Sequence, residues 1–169
     1  GGVLTEGRVS IISQDGYVRG ASSTAFDVEV SASQLLITAA NGVGSLAGTP
    51  PSVELRTQVG RLAAMAGSGG INIVNTVGLS IGLVSIETSR VSEDGSLSAS
   101  TTITGNDLTT STGTAPIVLR TLEGSITLND GSDLDGSAVA ADGSGNILLD
   151  AAGALALNAD VSSGSGNIT

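Results

Sequence analysis

Residues 143–169 read GSGNILLDAAGALALNADVSSGSGNIT and contain one phrase twice, since GSGNI begins at Gly143 and again at Gly164, so that the offset is 21. Between the two copies lie three short apolar segments, ILL, ALAL and V, separated by Gly, Asn, Asp and Ser. Short apolar segments bounded by such residues are typical of strands joined by turns. The pattern predicts a repeat of three short strands and three turns.

A second internal match joins two segments in the first and second halves of the chain. VELRTQVGRL at 53–62 aligns with IVLRTLEGSI at 117–126, with Leu, Arg, Thr and Gly identical and the apolar positions kept. The offset of this match, 64, is close to three times 21, so we expect the two segments at the same angular position of a coil, three turns apart. For residues 58–66, which overlap the end of the first segment, the sequence favours a strand over a helix.

One small phrase recurs along the chain, in which Gly is followed by alternating variable and aliphatic residues. The alternation sends every second side chain inward, while Gly allows a tight corner, so each copy predicts a turn followed by a strand. The copies are Gly7-Arg8-Val9-Ser10-Ile11, Gly60-Arg61-Leu62-Ala63-Ala64, Gly95-Ser96-Leu97-Ser98-Ala99, Gly124-Ser125-Ile126-Thr127-Leu128 and Gly153-Ala154-Leu155-Ala156-Leu157.

The composition favours a narrow core filled by small aliphatic groups. Tyr17 and Phe26 are the aromatic residues of the 169-residue chain, and 40% of its residues are hydrophobic. Ordering one 21-residue repeat costs roughly 20–40 kcal/mol of conformational entropy, whereas its few aliphatic side chains return only about 1.5–3 kcal/mol each. The repeats must therefore stack in parallel, and we expect an all-β solenoid (β-helix) of six to eight rungs, about 21 residues each with inserted loops, over residues 1–169 as one segment.

The repeat offsets also predict a core. Seven residues should point inward, and Ile126, Ile147 and Ile168 should share one column because their offsets are equal. The inward residues are Ile126, Leu128, Ile147, Leu149, Leu155, Leu157 and Val161.

Charge and missing residue types exclude several functions. The net charge of -10, with six Arg and no Lys, would repel nucleic acid. The chain has no Cys and no His, and no apolar segment approaches bilayer length, so we expect no membrane insertion, no cofactor and no zinc site. Carboxylates such as Glu93 and Asp94 lack the basic and aromatic partners of a glycosidase, so we expect no catalytic residues and no enzyme.

The acidic segment 129–136 predicts a loop that bulges from the coil. Its Asp130, Asp133 and Asp135 could bind calcium, but the spacing fits neither an EF-hand nor the nonapeptide of calcium-binding β-rolls. A solvated turn without metal is the favoured interpretation. Prolines in 49–52 and 114–116 should mark turns before the matched strands.

Arg56 and Arg120 occupy the same place in the two matched segments, which predicts a repeated outward-facing position. We expect surface pairing of these arginines with Glu54 or Glu123. Exposed pairs of this kind contribute little to stability.

Three segments together resemble the repeats of filamentous-haemagglutinin-like proteins, which are giant bacterial exoproteins. The resemblance implies a right-handed parallel β-helix, export through the outer membrane, an extracellular or cell-surface location, and a role in adhesion or filaments. The segments are 124–128, 145–159 and 166–169.

We therefore expect a structural repeat segment that acts as a rigid rod or spacer in adhesion or cell-cell contact. The alternative is an adhesin module whose inserted loops contact a host, matrix or partner surface. The chain begins with Gly1 and stops within the GSGNI phrase, which predicts a fragment of a longer array. Its expected partner is itself, end to end or as neighbouring repeats of one chain.

Overall fold

The computed structural model describes residues 2–20, 27–46 and 53–169, and these residues form seventeen strands and no helix. The predicted turn at Thr49–Ser52 lies outside the described residues. The strands are β1 (Val3–Leu4), β2 (Arg8–Ser13), β3 (Tyr17–Val18), β4 (Val30–Ala39), β5 (Gly42–Val43), β6 (Leu55–Ala66), β7 (Gly70–Asn75), β8 (Leu79–Ile81), β9 (Val84–Thr88), β10 (Thr101–Gly105), β11 (Leu108–Thr110), β12 (Ile117–Thr121), β13 (Ile126–Leu128), β14 (Ser137–Ala141), β15 (Ile147–Asp150), β16 (Leu155–Leu157) and β17 (Asp160–Ser163).

Parallel pairing dominates, as the sequence predicts. Fifteen strands form one sheet in which the pairings are parallel. Within the described residues, antiparallel pairing is confined to β9 with β10 and to an isolated bridge between Val91 and Leu97. The all-β class is therefore confirmed.

The parallel registers stack aliphatic residues in columns with six members each. The interior members are fully or almost fully buried, so these columns form the hydrophobic core. One column is Val18, Val43, Ile71, Ile117, Ile147 and Ile168. A second is Val9, Leu35, Leu62, Ile81, Leu128 and Leu157. A third is Ile11, Ile37, Ala64, Leu108, Val139 and Val161.

The predicted pairing of Ile147 with Ile168 is confirmed, but Ile126 does not share their column. Ile126 instead pairs with Leu79 and Leu155, on another side of the core. Each layer contains several strands, so an equal offset in sequence does not guarantee an equal angular position. The offset from Ile126 to Ile147 joins two different strands of consecutive layers.

Five of the seven predicted core residues are buried or partly buried and pack in the main core: Ile126, Leu128, Ile147, Leu149 and Val161. Leu155 and Leu157 occupy the predicted inward positions of the register but are exposed. They continue the columns of Ile126 and Leu128, yet they form the last layer, so no further strand covers them. Position in the stack decides their exposure.

The match between 53–62 and 117–126 corresponds to a true register at 55–57 and 119–121, whereas Leu62 stacks through Ile81 on Leu128 and not on Ile126. Leu55 pairs with Ile73, which pairs with Leu119, and the Arg and Thr positions follow in the same order. The two matched segments are therefore two layers apart, where we expected three turns. Strands β9 and β10 lie between Ile73 and Leu119 and lengthen that layer. The strand predicted for residues 58–66 lies within β6 and is confirmed.

The glycines of the repeated Gly phrases have three different structural roles. Gly124 has a φ of 74° and precedes β13, as a turn residue should, and Pro116 directly precedes β12. Gly60, by contrast, lies inside the twelve-residue strand β6. Gly95 lies in the tip between β9 and β10, where it turns a projecting arm and begins no strand of the main sheet.

This arm, residues 84–105, packs against the outer face of the sheet. Val84 and Ile86 are buried against Leu36 and Ala63 in a second small apolar cluster, to which Ile103 adds. Inward and outward side chains alternate along β4, so Leu36 faces the arm while its neighbours fill the main core. The insertion therefore has its own anchoring contacts.

Candidate functional site

Three carboxylates meet where the acidic loop approaches the turn before β11. Asp107, Asp133 and Asp135 each offer one oxygen, and these oxygens lie within 4.8 Å of one another. β14 pairs in parallel with β11, with Leu108 opposite Val139, so the loop that enters β14 lies beside the turn that enters β11. The sheet register thus brings together residues from two distant loops. We call Asp107, Asp130, Asp133 and Asp135 the acidic cluster.

Burial and like charge act together on Asp107. Its side chain is only 2% exposed, while Asp133 and Asp135 are exposed. Burial raises the pKa of Asp107 to about 7, and the charges of Asp133, Asp135 and Asp130 contribute to the rise in that order of importance. Burial disfavours the ionised carboxyl, and nearby carboxylates repel it. Among the described residues, no positively charged side chain offsets this rise in the pKa of Asp107.

The other acidic pair, Glu93 and Asp94, lies at the tip of the arm. Both residues are exposed there. Asp94 accepts hydrogen bonds from the Ser96 hydroxyl (2.6 Å) and the Ser96 backbone N–H (2.9 Å), which lower the pKa of Asp94. These hydrogen bonds close a tight turn at the tip of the arm.

The two matched arginines have different partners. Arg56 pairs with Glu54, as predicted. Arg120 pairs with Asp150, with 3.0 Å between Nε and Oδ2, and not with Glu123. Arg120 and Asp150 are opposite each other in the register of β12 and β15, so the partner comes from the next layer.

Both ends of the stack expose apolar side chains. Leu157 is 61% exposed and Ile168 is also exposed at one end, while Val3 and Leu4 are exposed at the other. The residues below Leu157 in its column, Leu128 and Ile81, are completely buried. The last layer therefore continues the apolar columns of the core, but no further layer covers it.

Asp107 is the residue that the sequence interpretation missed. The acidic loop drew attention to Asp130, Asp133 and Asp135, and the structure places Asp107 beside them. The local signal is weak, since Asn106-Asp107 is only a polar pair before a strand. Its proximity to the loop depends on the pairing of β11 with β14.

In the described part of the chain, no helix is long and apolar enough to cross a membrane. Comparisons of the chain with protein-family models, with curated proteins and with solved structures give no match.

Proposed function

We propose that the chain is a right-handed parallel β-helix with a basic rung of about 21 residues, within the range of known solenoid repeats, lengthened in places by inserted loops. The support is the column from Val18 to Ile168, in which Ile147 and Ile168 are one copy of the GSGNI repeat apart and the arm separates Ile71 from Ile117. The right hand is supported by the general preference of parallel crossover connections for that hand.

This β-helix serves as a structural repeat segment of a large secreted bacterial surface or filament protein. It works as a rigid rod or spacer in adhesion or cell-cell contact and has no catalytic role. Six layers of small aliphatic residues make a slender element whose stability grows with each added layer. The absence of Cys suits a chain that is exported unfolded.

The observation that carries this proposal is the continuity of the columns with the exposed ends. If a second copy stacks on the last layer, Leu157 meets Val9, Val161 meets Ile11, and the Ile168 position meets Val18, because these residues end and begin the same columns. Exposed strand edges and apolar layers favour such pairing. The partner of this segment is therefore another copy or a neighbouring repeat of the same chain.

Sedimentation of the 169-residue chain at rising concentration tests the proposal. We expect concentration-dependent assemblies, which Leu157→Glu should weaken because it buries a charge in the interface between layers. Val91→Glu, a similarly exposed substitution at the arm tip, is the matched control and should leave assembly unchanged. A strictly monomeric, fully folded chain at high concentration would refute end-to-end stacking.

The alternative is an adhesin module, and the arm favours it as a second candidate. Val91 and Leu97 at its tip are 64% and 70% exposed, and the Arg8 and Arg61 side chains donate to the backbone oxygens of Ser85 and Leu83 at its base. An anchored arm with an apolar tip can contact a host or matrix surface. In a cell-adhesion assay, Val91→Glu should then reduce binding while Leu157→Glu does not; equal adhesion of both variants and the parent chain argues against this role.

A further inference from the structure

The acidic cluster and the neighbouring Ser137 contain buried oxygens that have no hydrogen-bond partner among the described residues. Oδ1 of Asp107, Oδ1 of Asp130 and Oγ of Ser137 are all buried without a hydrogen-bond partner. They are three of the five such side-chain atoms in the described residues, and all three lie in or directly after two adjacent loops. Unpaired buried polar groups are expensive, and an unpaired buried carboxylate is the most expensive kind. Two of the three atoms are carboxylate oxygens, for which a cation is a suitable partner.

Neither ion pair described above supplies this charge. Arg56 and Arg120 pair with Glu54 and Asp150, which lie outside the acidic cluster. The chain has no Lys and no His, so the available cationic side chains are few. A soluble cation is the simplest group that could supply the missing positive charge.

Hydrogen bonds within the loop already hold other oxygens of the cluster in place. The Gly136 N–H donates to Oδ2 of Asp130 (3.2 Å), and the Ser137 N–H donates to Oδ1 of Asp135 (2.8 Å). The Ser132 N–H donates to Oδ1 of Asn106 (3.0 Å), which ties the loop to the turn that contains Asp107. Because the backbone already holds these side chains, less side-chain freedom is lost when a ligand binds.

The size and the ligand chemistry of the cluster are compatible with calcium. Calcium binds oxygen ligands at about 2.3–2.6 Å, so two ligands of one ion lie at most about 5 Å apart. The oxygens of Asp107, Asp133 and Asp135 lie within 4.8 Å of one another and fit this limit. Zinc prefers nitrogen and sulfur ligands, which the acidic cluster does not offer, and magnesium demands a smaller, more regular shell.

We propose that Asp107, Asp133 and Asp135 bind one calcium ion, with water molecules completing the oxygen shell. The ion neutralises the repulsion among the carboxylates and ties the loop before β14 to the turn before β11. It therefore fastens two consecutive layers at the place where the acidic insertion interrupts the sheet. The site does not depend on end-to-end stacking, since all of its ligands come from one chain.

Calorimetric titration of the EGTA-treated full chain with calcium chloride, together with thermal unfolding, tests the site. We expect one ion per chain and an unfolding midpoint raised by about 5–10 °C when calcium is a hundredfold above its dissociation constant. Magnesium chloride at the same concentration should bind far more weakly. Asp133→Asn and Asp135→Asn are the main variants, because both side chains are exposed and their loss should not disturb folding.

Each of these two variants should weaken calcium binding at least tenfold and abolish the rise in midpoint. Glu93→Gln, at the exposed arm tip, is the matched control and should bind calcium like the parent chain. The proposal is overturned if calcium neither binds nor stabilises the chain at millimolar concentration. It is equally overturned if all three variants respond like the parent, since calcium would then only screen the overall negative charge.

Discussion

The side-chain amide of Asn75 takes the place of a backbone peptide group in the hydrogen-bond ladder between strands. Its β7 position pairs with Thr57 of β6, while β8 pairs with β6 only from Arg61 onward. Val59 lies between these two pairings. Its backbone N–H donates to Asn75 Oδ1 (2.9 Å), and Asn75 Nδ2 donates to the Val59 carbonyl (3.0 Å). The side-chain amide thus continues the ladder over the gap.

We expect Asn75→Ala to destabilise the chain strongly. Besides the two bonds with Val59, it removes a bond from the Thr57 hydroxyl (2.8 Å) and one to the Val77 carbonyl (2.8 Å). At about 1 kcal/mol for each of the four bonds, the free energy of unfolding falls by about 4 kcal/mol. That is a large share of the roughly 5–15 kcal/mol by which domains are stable. Asn75→Asp should also destabilise the chain, because a carboxylate cannot donate to either carbonyl.

Urea unfolding followed by circular dichroism measures this loss. Asn158→Ala is the matched control, because Asn158 is exposed and its amide donates one hydrogen bond, to Asn129 Oδ1 (3.0 Å). Its loss should cost under about 1 kcal/mol. If Asn75→Ala costs no more than Asn158→Ala, the amide does not bridge the ladder and the reasoning fails.

Two further predictions follow from burial and charge. Leu128→Ala should lower the free energy of unfolding by about 2–5 kcal/mol. Leu157→Ala, in the next layer of the same column, should lower it by under about 1 kcal/mol in the monomer, because Leu157 is exposed. Equal losses in urea unfolding would contradict the assigned end of the stack. In the folded chain the pKa of Asp107 is raised to about 7 from 3.8. Without calcium, protonated Asp107 therefore contributes fully to the free energy of unfolding below about pH 4, and this contribution is lost as the pH rises to about 7. Asp107→Asn should remove this loss, worth at most about 4 kcal/mol at about 1.36 kcal/mol per pH unit; parallel pH profiles of stability for the two proteins in EGTA would contradict it.

The local features of this fold can be predicted from the sequence. Alternation of aliphatic and polar residues in segments such as 124–128 predicts which side chains face inward, because successive side chains of a strand point to opposite faces. The repeated GSGNI phrase predicts the pairing of Ile147 with Ile168, which the structure confirms. Scarce aromatics and abundant small aliphatics predict parallel layers without helix, since a single repeat cannot bury enough apolar surface to fold alone.

The assignment of residues to layers required the tertiary structure. The arm between Ile73 and Leu119 changes the number of layers between the matched segments, and Ile126 belongs to another column than its offset predicts. The exposure of Leu157 depends on its place in the last layer. Asp107 joins Asp133 and Asp135 only through the pairing of β11 with β14. Inward or outward direction is a property of a few consecutive residues, whereas neighbouring layers are chosen by hydrogen bonds between strands whose separation in sequence varies with every inserted loop.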